Sequence, residues 1–130
     1  MLVDTSVWID FLRGRPGAAT DCVRETLGND CTTTEPVMIE LLSGAAPGPR
    51  TFEIERLLLS QRWARLVPAL DYRGAVDVYQ ATRATGHQPR ALQDCLIAAI
   101  ALRVGLTIAH RDADYERIAA ATGLRTLDLR

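Results

Sequence analysis

The residues of this sequence best suited to chemistry are five carboxylic acids spread along the chain: Asp4, Glu40, Asp94, Asp112 and Asp114. Asp4 follows a short apolar stretch, and Asp112 and Asp114 follow another; both stretches are typical of buried strands. Glu40 and Asp94 fall near the starts of two apolar helical segments. Taken singly, each acid has an ordinary explanation as a helix cap, a partner of the helix dipole or an exposed charge. Their shared chemistry depends on whether the fold brings them together.

Carboxylates that cluster repel one another and raise one another's pKa unless a hard cation neutralises them. Oxygen-only ligation, without Cys or His at ligand spacing, suits Mg²⁺ or Mn²⁺ and argues against zinc. Two such ions about 3.5–4 Å apart can hold a phosphodiester for in-line attack by water. The five acids therefore predict metal-dependent phosphodiester hydrolysis, a chemistry that requires neither lysine nor histidine.

The first ten residues are expected to set both the fold and the site. Residues 2–3 are predicted to form a strand, and a helix follows at once, capped by Thr5 or Ser6. Asp4 is then at the carboxyl end of a strand, the edge where ligands bind in open α/β sheets. Asp10, more than a turn further along, is a weaker candidate that we expect on the solvated face of the helix.

Strands and helices are predicted to alternate along the rest of the chain. Further strands are expected over 31–34, 62–67, 106–109 and 126–129, and further helices over 18–27, 35–43, 51–61, 71–85, 94–103 and 115–121. Short connections between alternating elements predict a parallel sheet covered on both faces, with each crossover helix beginning at the carboxyl edge. With Glu40 and Asp94 in the opening turns of such helices, that topology delivers all five acids to one edge.

Composition limits the remaining possibilities. A chain of 130 residues with 48% hydrophobic residues fits one domain, residues 1–130, and its net charge of −1 gives no overall attraction to nucleic acid. All 15 basic residues are arginine, so the lysine required by phosphate-binding loops, Schiff bases and aspartyl-phosphate receivers is missing.

Three cysteines without a CxxC pair do not suggest disulfides. With no leader and no apolar run of membrane-spanning length, we expect a soluble cytoplasmic protein without a membrane partner.

Some residues near the acidic edge have roles that the sequence leaves open. Arg13, Arg90 and Arg111 could contact phosphate through their guanidinium groups, or could simply form surface ion pairs. His87 and His110 are not required by the predicted chemistry. The apolar helices over 51–61 and 71–85 could form a groove for a partner helix, a dimer face or part of the core.

Four segments together resemble the motifs of the PIN-domain family, specifically the VapC-type toxins of type II toxin–antitoxin systems. They are MLVDTSVWID at the start, the helix that carries Glu40, LQDCLIAA from residue 92 and HRDADYERI from residue 110. Their order and spacing match over essentially the whole chain. The resemblance implies an α/β fold, a three-layer α/β/α domain with a central parallel sheet of about five strands.

The resemblance also implies a function and a set of site residues. Such toxins are Mg²⁺-dependent endoribonucleases, with Mn²⁺ as a possible substitute, that act on RNA, are inhibited by a cognate VapB-like antitoxin and usually form homodimers. Asp114 matches an additional acid, Thr5 or Ser6 matches a hydroxyl that supports the first aspartate and a metal-bound water, and Tyr115 replaces a frequent phenylalanine. The family's metal-binding and catalytic acids correspond to Asp4, Glu40, Asp94 and Asp112.

A second hypothesis is a non-catalytic regulatory module that uses the acidic edge only to hold a metal and a partner. It predicts metal binding without RNA turnover. Five acids exceed what a purely structural metal needs, so the sequence favours the nuclease.

Overall fold

A parallel sheet of five short strands forms the centre of the protein, seen in a computed structural model that describes all of residues 1–130. The strands are β1 (Leu2–Val3), β2 (Thr32–Thr33), β3 (Arg62–Trp63), β4 (Ile108–His110) and β5 (Thr126–Asp128). The helices are α1 (Thr5–Leu12), α2 (Ala18–Thr26), α3 (Glu35–Gly44), α4 (Pro49–Leu59), α5 (Pro68–Ala84), α6 (Leu92–Val104) and α7 (Ala113–Thr122). The predicted three-layer α/β/α fold is confirmed.

The order of the strands, β3-β2-β1-β4-β5, places the first strand in the middle. Leu2 is in register with Thr32 on one side and with Ile108 on the other. The chain builds outward from β1 to β3 and then returns to the far side of β1 as β4. The gap between β1 and β4 is therefore the topological switch point, the place where open α/β sheets bind ligands.

The core is built around α1, α6 and the two central strands. Leu2 and Val3 are fully buried, and so are Trp8 on α1 and Ile97 on α6. The predicted burial of α6 on nearly every side is confirmed, since every residue from 95 to 101 is buried. None of the helices combines the length and apolarity needed to span a bilayer.

Three local predictions are wrong in detail. The N-cap of α1 is Asp4, whose Oδ2 accepts from the backbone N–H of Ser6 at 3.0 Å, so neither Thr5 nor Ser6 caps this helix. Glu40 lies in the second turn of α3 and not in its opening turn, although that helix begins at Glu35 as predicted. Asp10 is not solvated: it is only 8% exposed. Its position, three residues after the buried Val7, puts it on the core side of α1.

A buried ion pair joins α5 to α6. Asp71, 1% exposed, accepts from Arg103 Nε at 2.7 Å and Nη2 at 2.9 Å, and from the backbone N–H of Val67 at 2.6 Å. Burial raises the pKa of Asp71, but the hydrogen bonds and the charge of Arg103 outweigh it and hold that pKa below its ordinary value. The aspartate is therefore ionised at neutral pH and stabilises the fold in that form.

We expect Asp71→Asn to lower the free energy of unfolding by about 2 kcal/mol at pH 7, because it removes charge-assisted hydrogen bonds at a buried site. The stabilisation is present above the unfolded-state pKa, about 4, and is lost as the pH falls through the lower folded-state pKa. Urea denaturation of both chains at several pH values measures this difference. The control is Asp77→Asn, which breaks an exposed pair with Arg73 on the same helix and should cost about 0.5 kcal/mol or less. Equal losses in the two variants would contradict the assignment.

Candidate functional site

The five predicted acids meet at the carboxyl edge of the sheet, around the switch point. Asp4 follows β1 as the N-cap of α1, and Asp112 follows β4 as the N-cap of α7. Asp114 lies in the first turn of α7, Asp94 in the first turn of α6, and Glu40 in α3. We call these five residues the acidic cluster.

Asp94 shows how closely the cluster is gathered. Burial raises its pKa, and repulsion from Asp4, Asp112, Glu40 and Asp114 raises it further, to about 7. No hydrogen bond or ion pair to the Asp94 carboxylate offsets that repulsion. Asp94 is therefore close enough to the other four acids to be repelled by each of them.

Hydroxyl groups hold the carboxylates of Asp4 and Glu40 in place. Asp4 Oδ1 accepts from the Tyr115 hydroxyl at 2.8 Å, Oδ2 accepts from Ser6 Oγ at 2.6 Å, and Thr5 Oγ1 donates to Glu40 Oε1 at 3.2 Å. Complete burial, followed by the charge of Asp4, raises the pKa of Tyr115 well above its ordinary value, so the phenol stays a donor. Burial and then the charge of Asp4 also raise the pKa of Glu40. Sequence reasoning missed the role of Tyr115.

Arginines neutralise the other side of the cluster. Arg90 donates from Nη2 to Asp112 Oδ1 at 2.7 Å and from Nε to Asp114 Oδ2 at 3.0 Å, and Arg117 reaches Asp114 Oδ1 at 2.8 Å. Burial raises the pKa of Asp114, but its bonds to Arg90 and Arg117 lower it below the ordinary value overall. Arg90 is thus an ion-pair partner of the acids. Asp114 does not cap α7, but it has a structural role as the acceptor for Arg90 and Arg117.

His110 positions the backbone of Asp112, although the predicted chemistry does not require it. The ring is fully buried, its Nδ1 accepts from the backbone N–H of Asp112 at 3.1 Å, and its Nε2 lies 2.9 Å from Glu116 Oε1. This pattern places the proton of the neutral ring on Nε2, which donates to Glu116. Thr126 Oγ1 also donates to Glu116 Oε1 at 2.6 Å, so β5 is connected to Asp112.

Three candidates from the sequence remain: His87, Arg13 and Arg111. His87 is exposed, and Arg13 is the C-cap of α1 beside a groove that also includes Glu40. Arg111 forms an ion pair with the buried Asp10. None of these side chains makes a hydrogen bond to the acidic cluster.

The donor set of the cluster matches a hard divalent cation in type. All five side chains are carboxylates, and Asp94 is desolvated and lacks any bonded partner. No three His, Cys, Asp or Glu side chains are arranged to ligate an ion in this conformation, where Ser6, Tyr115 and Arg90 occupy several carboxylate oxygens. Ion binding would therefore exchange some of these contacts for bonds to the metal.

Comparison with known proteins assigns the chain to a family. The model of the PIN domain matches residues 1–121. The chain is 37% identical over 133 aligned residues to VapC ribonuclease Mb1587 of Mycobacterium bovis and to ribonuclease VapC11 of Mycobacterium tuberculosis, covering 100% of this chain and 99% of each relative. Its fold is similar to a crystal structure of VapBC2 from Rickettsia felis bound to a promoter DNA fragment, with a TM-score of 0.76, 12% identity and coverage of 99% and 98% of the two chains. The chain belongs to the PIN-domain family, in its VapC-type group.

Proposed function

We propose that this protein is a Mg²⁺- or Mn²⁺-dependent endoribonuclease that acts as the toxin of a VapBC-type pair. The observation that carries the proposal is the convergence of five carboxylates at the switch point, with Asp94 unpaired among four others. Its mycobacterial relatives are named ribonucleases and match it over the whole chain, which supports RNA as the substrate.

Asp4, Glu40, Asp94 and Asp112 would hold the metal, with Asp114 beside them. Bound there, the ion supplies an activated water and stabilises charge on the phosphodiester oxygens. The chain's own contribution is orientation, since Tyr115 and Ser6 fix the Asp4 carboxylate.

We expect purified protein to cleave RNA in Mg²⁺ or Mn²⁺ and to lose this activity with excess EDTA. Asp4→Asn and Asp94→Asn should each reduce the cleavage rate by about 100-fold or more, because each removes a charged metal ligand. Gel analysis of RNA cleavage at saturating metal measures the effect. Asp21→Asn, which affects only an exposed pair with Arg24 on α2, should cleave normally.

Thermal unfolding in EDTA shows whether these variants still fold. The melting temperature of Asp94→Asn should be no lower than that of the parent, because the change removes a charge that four carboxylates repel. Undiminished cleavage by both folded variants would show that the site is wrongly assigned. Metal binding without turnover of any RNA would favour the regulatory-module hypothesis.

An apolar groove beside the cluster provides a site for a VapB-like antitoxin. It has a volume of about 280 Å³, lies between α1, α3 and α4, and includes Glu40 in its wall. Leu12, Ile54 and Arg50 also line a second cavity that adjoins it, which extends the groove along α4. A partner segment lying there would be next to the acidic cluster, as inhibition requires.

Overproduction of the chain should arrest bacterial growth, and co-expression of its cognate VapB-like antitoxin should restore growth. Inhibition follows because an antitoxin in the groove would restrict access of RNA to the acids. Growth curves after induction, with Asp94→Asn as the inactive control, measure both effects. A chain that is harmless when overproduced alone would contradict the toxin assignment.

A second apolar surface is suited to a homodimer. Ile39 on α3 and Tyr72 on α5 are 58% and 57% exposed, and both line a cavity of about 390 Å³ that Leu96 of α6 also lines. Leu92, one turn earlier on α6, is 68% exposed. Contiguous apolar surface of this kind marks protein interfaces, so we include self-association through this face in the proposal.

Sedimentation equilibrium of the isolated protein should give twice the chain mass of 14.3 kDa. Ile39→Glu should shift the protein toward the monomer, because it places a charge in an apolar interface. Phe52→Glu is the control, since Phe52 is also an exposed apolar residue but does not line the cavity. A parent chain that sediments as a monomer would contradict the proposed dimer.

A further inference from the structure

A small cavity lined by three arginines lies beside the acidic cluster. It has a volume of about 170 Å³, and its walls come from the end of α1, the start of α2, the residue after β4 and the end of the chain. We call it the arginine pocket and define it by Arg15, Arg111, Arg130 and Asp10. None of these residues belongs to the acidic cluster.

Asp10 fixes two of the arginines. Its side chain is 11% exposed, Arg15 Nη1 donates to Oδ1 at 3.1 Å, and Arg111 Nη1 donates to Oδ2 at 2.5 Å. A buried carboxylate is unfavourable unless it is paired, and here each oxygen binds one guanidinium. Both guanidinium groups are thereby held in place, while most of their five N–H donors remain free.

The pocket brings together three guanidinium groups in a chain whose net charge is −1. Arg130 binds Asp128 through Nε and Nη2 and leaves Nη1 free. Asp10 and Asp128 pair with these arginines, and the charges of Glu116 and Asp112 also act on Arg130. The start of α2 contributes partial positive charge, because its N-cap is Gly17 and no side chain caps it.

Two successive hydrogen bonds connect the pocket to the acidic cluster. The backbone N–H of Arg111 donates to Ser6 Oγ at 3.0 Å, and Ser6 Oγ donates to Asp4 Oδ2 at 2.6 Å. Helix α1 spans both sites, with Asp4 at its start and Asp10 near its end. The helical rise separates those two residues by about 9 Å, a distance that one nucleic-acid strand can bridge.

We propose that the arginine pocket binds a backbone phosphate of the RNA strand that flanks the phosphodiester at the acidic cluster. Guanidinium groups match phosphate oxygens in geometry, and a contact to phosphate positions a strand without reading its sequence. This inference rests on the proposed ribonuclease function. It also explains how a chain without a basic surface field retains RNA beside five carboxylates.

The test is the salt dependence of RNA binding. The Asp94→Asn chain in Mg²⁺ serves as the non-cleaving parent, and its Kd for a short single-stranded RNA is measured over a range of salt concentrations. Arg15→Gln and Arg130→Gln should each weaken binding by roughly 10-fold and reduce the slope of log K against log salt by about 0.7. Arg73→Gln, an exposed arginine on α5, should leave both values unchanged.

A second variant distinguishes RNA binding by positioned arginines from RNA binding by diffuse positive charge. Asp10→Asn makes the pocket more positive, so diffuse attraction alone would tighten RNA binding, whereas loss of the fixed guanidinium groups weakens it. We expect weaker binding, measured on protein whose thermal unfolding confirms the fold. Tighter RNA binding by Asp10→Asn would contradict the proposed phosphate contact. An unchanged slope of log K against log salt in the arginine variants would contradict it too. Either result would leave the ribonuclease proposal standing. A parent that binds no RNA would overturn both.

Discussion

Repulsion among carboxylates at one edge of the sheet is the constraint on which the rest of the site depends. Asp94 experiences it most strongly, because it is desolvated and has no bonded partner. The protein offsets the repulsion unevenly. Arg90 bridges Asp112 and Asp114, while Asp4 and Glu40 bind only neutral donors, three hydroxyl groups and the backbone N–H of Ser6. The protein thus supplies a positive charge to Asp112 and Asp114, but none to Asp4 and Glu40.

The topology of the sheet explains why acids so far apart in sequence meet. Because β1 lies between β2 and β4, the loops after β1 and β4 open toward the same gap. Helix α6 returns to that gap before β4 and places its first turn there, which brings Asp94 close to Asp4 and Asp112. A different strand order would separate these residues even if every helix and strand were kept.

Sequence patterns were sufficient for the fold and for the gathering of the acids, because both follow from the alternation of strands and helices. They were insufficient for the partners of each acid. The ion pair between Asp10 and Arg111 joins residues 101 positions apart, and no local pattern encodes such a contact. The spacing of Asp10 from the buried Val7 did contain a signal for burial, which was outweighed by the usual exposure of aspartate. The role of Tyr115 was hidden for a similar reason, since an aromatic residue within an apolar segment fits the core equally well.

Helix capping and metal binding, which compete as explanations of Asp4 and Asp112 in the sequence, are compatible in the structure. Each aspartate caps a helix through one carboxylate oxygen, and the helix N-termini that face the cluster already favour negative charge. Their effect is small, about 0.3–1 kcal/mol for each terminus. Burial, and then repulsion from the other four acids, nevertheless raises the pKa of Asp94 to about 7. The helix dipoles therefore fall short of balancing the cluster, and a divalent cation is the kind of ligand that would supply the missing charge.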